Sequence, residues 1–77
     1  LAWKNGWFEF DETDLSAIMR QVSRWYDVEI VYEGTVTNQQ FGGRISKYLP
    51  MSAITQMLES NGVKGFRLEG KTLKVQP

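Results

Sequence analysis

Acidic side chains around residues 11–14 are the first feature of the sequence that could carry chemistry. Asp11, Glu12 and Asp14 fall within four consecutive positions, and carboxylates so placed can bind hard cations such as Ca²⁺. A calcium loop also needs a glycine-punctuated turn and a distal glutamate, which this stretch lacks. We therefore predict that these residues serve the helix that follows, as N-capping groups and as acids in its first turn.

Basic side chains gather near the other end of the chain, where Lys64, Arg67, Lys71 and Lys74 follow one another at short intervals. Basic strands can contact nucleic acid or an acidic protein. The whole chain carries nine basic and nine acidic residues and is neutral, whereas nucleic-acid-binding domains are usually strongly basic. Nucleic acid is therefore not an expected partner.

Charge is unevenly distributed between the two halves. Residues 1–33 hold seven acids and three bases, net −4, and residues 34–77 hold two acids and six bases, net +4. In the folded domain these could form two faces of opposite sign that orient a charged partner. Alternatively, both sets are dispersed, solvated positions.

Several reactive groups are missing from the sequence. It has no cysteine and no histidine, which excludes disulfides and thiolate metal sites and removes the commonest general base and zinc ligand. Residues 42–44 (Gly-Gly-Arg) lack the Lys-Ser/Thr pair of a phosphate loop. No stretch approaches the roughly 18 apolar residues of a membrane span. We expect no catalytic residue, no metal, no cofactor and no enzymatic activity.

Two stretches of the chain are copies of one helix–strand unit. Residues 15–34 and 51–70 align with an offset of 36 positions and no gap. Average composition would give about one identity in twenty. Five are found: Ser16/Ser52, Ala17/Ala53, Ile18/Ile54, Glu33/Glu69 and Gly34/Gly70. Each copy passes from helical to strand periodicity, which predicts a helix–strand unit used twice.

Local patterns predict the elements in the order β-α-β-β-α-β-β. Helices are expected from Leu15 and from Pro50, the second ending in a left-handed turn at Asn61-Gly62. Gly42-Gly43 suggests a bulge or a close backbone approach. The predicted strands are 7–10, 28–32, 41–45, 63–69 and 72–76, with a tight hairpin at 70–71. The fold class is therefore α+β, one domain over residues 1–77 made of two pseudo-repeated βαβ halves.

Most large apolar side chains must lie in the core, because a domain this short buries only about 60–65% of its unfolded surface. Trp25 is expected to be mostly buried at the end of the first helical stripe. Trp7 and Phe41 fall in predicted strands and are expected to pack in the core. The full predicted core is Phe8, Phe10, Leu15, Ile18, Val22, Trp25, Ile30, Ile54, Leu58, Phe66, Leu68, Leu73 and Val75.

Candidate protein-binding residues lie outside the regular patterns or on the basic hairpin: Trp3, Tyr48, Arg67, Lys71 and Lys74. Exposed aromatic residues often anchor partners. The third strand (40–46) and the final strand (72–76) are expected to have open edges that could accept a partner's strand. Alternatively, the lysines of the final strand protect its edge, since lysines at a strand edge also prevent unwanted pairing.

Three segments resemble the C-terminal domain of FecR-type anti-sigma factors. They are Ala-Trp-Lys-Asn-Gly-Trp-Phe-Glu-Phe at 2–10, Arg-Trp-Tyr-Asp-Val at 24–28 and Phe-Gly-Gly-Arg-Ile at 41–45. The resemblance covers essentially the whole chain. That domain is similar in turn to the short N-terminal domain of secretins and TonB-dependent transporters. This implies two helices flanked by a two-stranded and a three-stranded sheet.

The resemblance also implies a signalling role. A FecR-type protein spans the inner membrane once, holds a sigma factor at its cytoplasmic end, and senses the signalling domain of an outer-membrane TonB-dependent transporter. This chain would be the extreme periplasmic end of such a membrane-anchored protein. It would reach the membrane only through an upstream helix and the sigma factor only through the cytoplasmic part. Alternatively, the chain is itself the short N-terminal signalling domain of a transporter or secretin.

Overall fold

The computed structural model describes residues 6–36 and 38–77. Their strands form two sheets, in the orders β1-β3 and β2-β5-β4. The predicted α+β fold is confirmed. In chain order the elements are β1 (Trp7–Asp14), α1 (Leu15–Tyr26), β2 (Glu29–Tyr32), β3 (Gln40–Ser46), α2 (Met51–Ser60), β4 (Gly65–Glu69) and β5 (Thr72–Gln76).

The repeated unit explains how the two sheets are assembled. The strands that precede the two helices, β1 and β3, pair with each other in antiparallel fashion. The strands that follow the helices, β2 and β4, lie on either side of β5, parallel and antiparallel to it respectively. The prediction that residues 72–76 form an open edge is therefore wrong, because β5 fills the space between the two copies and is bonded on both sides.

β1 continues through the acidic stretch that was predicted to cap α1. Residues 11–12 together oppose only Gly42 in β3, which is a β-bulge, and Glu12 takes a φ of 47°. Asp14 occupies the N-cap position, but among the described residues its carboxylate accepts from Gln40 Nε2 (3.2 Å) and not from the helix N–H groups. The capping prediction is wrong because this part of the chain belongs to β1 and pairs with β3 instead. The bulge predicted around Gly42-Gly43 is present, with the extra residue in β1.

α1 turns Tyr26, and not Trp25, toward the core. At about 100° per residue, position 26 lies about 20° from the direction of Leu15, whereas position 25 lies about 80° away. Tyr26 packs against the core and its ring centroid is 6.2 Å from that of Phe8. Trp25 is 47% exposed. The prediction that Trp25 is mostly buried is therefore wrong.

α2 ends as its sequence predicts. Gly62 has a φ of 115°, its N–H donates to Glu59 O (3.3 Å), and the next N–H, that of Val63, donates to Leu58 O (3.1 Å). This pair of bonds is a Schellman motif, which satisfies carbonyls that the helix leaves unpaired. The motif redirects the chain into β4.

One core fills the space between the helices and the two sheets. Among the predicted core residues, Ile30 and Phe66 are partly buried. Leu68 is 52% exposed and Trp7 is 40% exposed, so both predictions of burial are wrong. Leu68 lies on an outer strand two residues before the hairpin turn, and Trp7 lies on the exposed face of β1, opposite to the face of the buried Phe8 and Phe10. The buried set is Phe8, Phe10, Leu15, Ile18, Met19, Val22, Phe41, Ile54, Leu58, Val63, Leu73 and Val75.

Candidate protein-binding surface

The predicted basic hairpin is electrically balanced within the fold. Lys71 Nζ lies 2.7 Å from Asp27 Oδ2. The hydrogen bond and then the charge of Lys71 lower the pKa of Asp27, and Asp27 raises the pKa of Lys71 by the same contacts. Asp27 is the left-handed residue that ends α1. The cation therefore ties the hairpin turn to the end of the helix.

The other two predicted cations share one carboxylate. Lys74 Nζ and Arg67 Nε lie 2.9 Å and 2.8 Å from the two oxygens of Glu69, and Arg67 also reaches Glu33 at 3.8 Å. The hydrogen bond from Lys74, followed by the charges of both cations, lowers the pKa of Glu69. All three cations are thus engaged, and their surface offers a partner little net charge.

Tyr48, by contrast, is the most exposed large hydrophobic residue in the described part of the chain, at 76%. It lies in the turn between β3 and α2. Its ring meets that of Trp25 edge-on, with 6.2 Å between the centroids. Trp3, the other aromatic residue predicted to bind a partner, lies outside the described residues. We use the name Trp25–Tyr48 surface for Arg24, Trp25, Lys47, Tyr48 and Leu49.

Two side-chain hydrogen bonds fix the turn to the end of α1. Trp25 Nε1–H donates to the main-chain carbonyl of Lys47 (2.7 Å), and the Tyr26 hydroxyl donates to that of Leu49 (2.9 Å). Partial burial raises the pKa of Tyr26, so its hydroxyl stays a neutral donor at physiological pH. The exposed indole is therefore held in one orientation although half of it faces solvent.

The main chain at Gly6 contacts the residues of this surface. Lys47 N–H donates to Gly6 O (2.8 Å), and Gly6 has a φ of 63°. A Cβ added at Gly6 would lie 2.5 Å from Tyr48 Cε2. A side chain at position 6 would therefore have to adopt a left-handed backbone conformation and displace the tyrosine ring, and glycine avoids both costs.

The surface carries two cations that are not neutralised. Lys47 Nζ lies 5.3 Å from the ring centroid of Trp25 and 5.4 Å from that of Phe8, within the range of cation–π attraction. Arg24 lies near Lys47 and Trp25, and all three line one shallow cleft together with Phe8 and Gln21. Neither cation has a carboxylate partner among residues 6–36 and 38–77.

A second exposed tryptophan is already partnered. Arg44 stacks over the ring of Trp7 with 4.6 Å from its guanidinium carbon to the centroid. The same guanidinium lies 3.7 Å from a carboxylate oxygen of Glu9. Arg44 is therefore already engaged by the ring and by the carboxylate on the outer face of the β1–β3 sheet. This patch is a weaker candidate for binding a protein than the Trp25–Tyr48 surface.

Residues 6–36 and 38–77 offer neither a metal-binding cluster nor a membrane-spanning helix. They contain no group of three or more acidic, histidine or cysteine residues arranged to hold a metal ion. None of the helices in the described ranges is both long and apolar enough to cross a membrane.

The sequence predicts Tyr48 as a binding residue but predicts Trp25, its neighbour in space, to be in the core. The angular position of residue 25 on the helix was the signal that could have corrected this, since residue 26 continues the stripe better. No local pattern points to Lys47, because its position depends on aromatic rings that are distant in the chain. In the structure, Tyr48 lies beside Trp25 and Lys47. The basic residues predicted to bind a partner lie elsewhere and pair with carboxylates of this chain: Arg67, Lys71 and Lys74.

Solved structures of other proteins share this fold. Crystal structures of a provisionally named anti-sigma factor from Parabacteroides distasonis ATCC 8503 are similar to this chain. The one at 1.65 Å has a TM-score of 0.81 and 24% identity, over 96% of this chain and 35% of that one. The one at 2.50 Å has a TM-score of 0.83 and 23% identity, over 97% and 35%. The present chain thus spans about a third of their length, and the likeness shows a shared fold.

No curated protein is significantly similar to the chain in sequence. Residues 7–75 match the family described as FecR, C-terminal. The match leaves out only the first six and the last two residues of the 77. The chain therefore belongs to the FecR C-terminal domain family.

Proposed function

We propose that this chain is the periplasmic protein-interaction domain of a transmembrane anti-sigma factor. It receives a signal from the N-terminal signalling domain of an outer-membrane TonB-dependent transporter. The rest of the protein relays that signal across the inner membrane to a sigma factor. The output of the domain itself is a protein contact and not a reaction.

Family membership over residues 7–75 is the observation that carries this proposal. FecR C-terminal domains are usually periplasmic and belong to regulatory proteins. The provisional naming of the Parabacteroides protein as an anti-sigma factor agrees with the proposal. The Trp25–Tyr48 surface supports it further, because a half-exposed tryptophan held by a 2.7 Å hydrogen bond suits the anchoring of a protein partner.

The alternative is that the chain is a short signalling domain of a transporter or secretin. Such a domain would have the same arrangement of elements, so the fold does not separate the two readings. The family match favours the anti-sigma reading, because residues 7–75 match FecR C-terminal domains.

Binding between purified proteins tests the proposal. The 77-residue chain is titrated by calorimetry with the purified N-terminal signalling domain of the TonB-dependent transporter encoded nearest its gene. We expect a saturable one-to-one complex. In cells, deletion of residues 1–77 from the full-length protein should uncouple a sigma-dependent reporter from the transporter's substrate. Absence of binding to every transporter signalling domain of the source organism, with unchanged reporter induction, would overturn the proposal.

A further inference from the structure

A shallow cleft beside Trp25 has an aromatic floor and a cationic rim. It is lined by Phe8, Gln21, Arg24, Trp25 and Lys47 and has a volume of about 210 Å³. Small-molecule sites usually enclose about 300–1,000 Å³ and bury most of the ligand. The cleft is therefore sized for one large side chain of a peptide and not for a separate small molecule.

Hydrogen bonds hold the aromatic side of the cleft in place. The Trp25 indole is fixed by its bond to Lys47 O, and the turn is fixed again by the bond from the Tyr26 hydroxyl. A partner would not have to order these side chains on binding, a step that costs about 0.5–1.5 kcal/mol for each flexible side chain. Preorganised aromatic residues of this kind commonly carry most of the energy of an interface.

The charge of the rim favours an acidic partner. Arg44, Arg67, Lys71 and Lys74 each lie within 4.0 Å of a carboxylate of this chain. Among the described residues, the two cations of the cleft have no such partner. They would remain available to the carboxylates of another molecule, which they would also attract at long range.

We infer that the cleft binds an extended acidic segment of the partner. An aromatic or large aliphatic side chain of that segment packs on the face of Trp25, and flanking carboxylates pair with Arg24 and Lys47. This inference rests on the proposed function, since it names the site and the chemistry by which the signalling domain is recognised.

A peptide titration tests the site without the natural partner. The probe is the blocked nonapeptide Gly-Ser-Asp-Glu-Phe-Asp-Glu-Ser-Gly, added to ¹⁵N-labelled chain at low ionic strength. We expect shifts of the Trp25 indole N–H and of residues 46–49. The same peptide with Asn and Gln in place of its acids, and another with Ala in place of Phe, should each bind at least tenfold more weakly. Equal binding of the neutral peptide, or shifts centred on the β4–β5 hairpin, would overturn the inference.

Charge-reversed variants test the same site in the complex. Lys47→Glu and Arg24→Glu should each weaken binding of the transporter's signalling domain tenfold or more. Lys64→Glu is the matched control, because Lys64 is exposed and lies in the connection between α2 and β4; it should change affinity less than twofold. All three proteins are first compared by Tm, so that a loss of folding is not read as a loss of contact.

The two proposals fail in different ways. Binding of the signalling domain that Lys47→Glu and Arg24→Glu do not weaken would overturn the acidic-segment site and leave the proposed function standing. Peptide binding in the cleft without any signalling-domain complex would overturn the function and leave the site standing. Concentration-dependent shifts of the Trp25 indole N–H without peptide would mean that a second copy occupies the cleft, which would also overturn the inference.

Discussion

Ile18 and Ile54 occupy the same position in the two helix–strand units and are both fully enclosed, at 0% and 1% exposure. One lies on α1 and the other on α2, 36 positions apart in the chain. Both belong to the one core cluster that joins the two sheets. The internal repeat of the sequence is thus built around a pair of equivalent core residues.

Truncation of either isoleucine should destabilise the domain strongly. Ile18→Ala and Ile54→Ala each remove buried methyl groups, which should lower the free energy of unfolding by about 2–5 kcal/mol. Small domains have only about 5–15 kcal/mol in total. Urea denaturation measures the loss, with Ile18→Val and Ile54→Val as conservative controls that should cost about 0.5–1.5 kcal/mol. A loss below 1 kcal/mol for either alanine variant would contradict the observed burial.

The indole hydrogen bond of Trp25 should contribute measurably to stability. Trp25→Phe keeps an aromatic ring but removes the donor to Lys47 O, which should cost about 0.5–1.5 kcal/mol. Trp25→Ala should cost less than the roughly 3–5 kcal/mol of a fully buried aromatic, because 47% of the residue is exposed.

Trp7→Phe is the control for that donor. Trp7 is similarly exposed, at 40%, and makes no indole hydrogen bond within the described part of the chain. Urea denaturation of both variants should show a larger loss for Trp25→Phe. Equal losses in the free energy of unfolding would mean that the hydrogen bond from the Trp25 indole does not contribute to stability.

Replacement of Gly62 should weaken the end of α2. Its φ of 115° is unfavourable for any residue with a Cβ, and that atom would lie 2.8 Å from the side-chain amide of Gln39. Gly62→Ala should therefore lower the free energy of unfolding by at least about 1 kcal/mol. The control is Gly70→Asn, since Gly70 has a φ of 61° with open space around it and Asn tolerates this conformation. A Gly62→Ala protein as stable as wild type would exclude strain at this turn.

Acid should weaken the ties between the hairpin and the rest of the domain. The pKa of Asp27 is lowered in the fold, chiefly by its hydrogen bond from Lys71, and that of Glu69 chiefly by its hydrogen bond from Lys74. A carboxylate with a lowered pKa stabilises the fold above its unfolded pKa, near 4, and that stabilisation is lost as the pH falls through the folded pKa. Lys71→Met should therefore lower Tm at pH 7 more than at pH 2.

Lys64→Met, which removes an exposed lysine from another connection, should show a smaller pH dependence of its Tm change. Added salt should reduce the Lys71 effect, because both partners of the ion pair are largely exposed. A Tm difference for Lys71→Met that is the same at pH 2 and pH 7 would show that the ion pair does not act on stability.

Local patterns in the sequence determined the order of elements, the course of the hairpin and the Schellman end of α2. Periodicity and turn residues act over a few neighbouring positions, so each can be read without knowledge of distant partners. The repeat added that two units share one arrangement, with Ile18 and Ile54 in equivalent places.

Only the tertiary structure decided which strands pair and which charged groups meet. β5 is central because β2 reaches it in parallel from more than forty residues upstream. Lys71 pairs with Asp27, which is 44 residues away in the chain. Trp25 became a surface residue because Tyr26 is better aligned with the core and because a turn 22 residues away holds the indole. These partners are distant in the chain, and no local pattern encodes the distances between them.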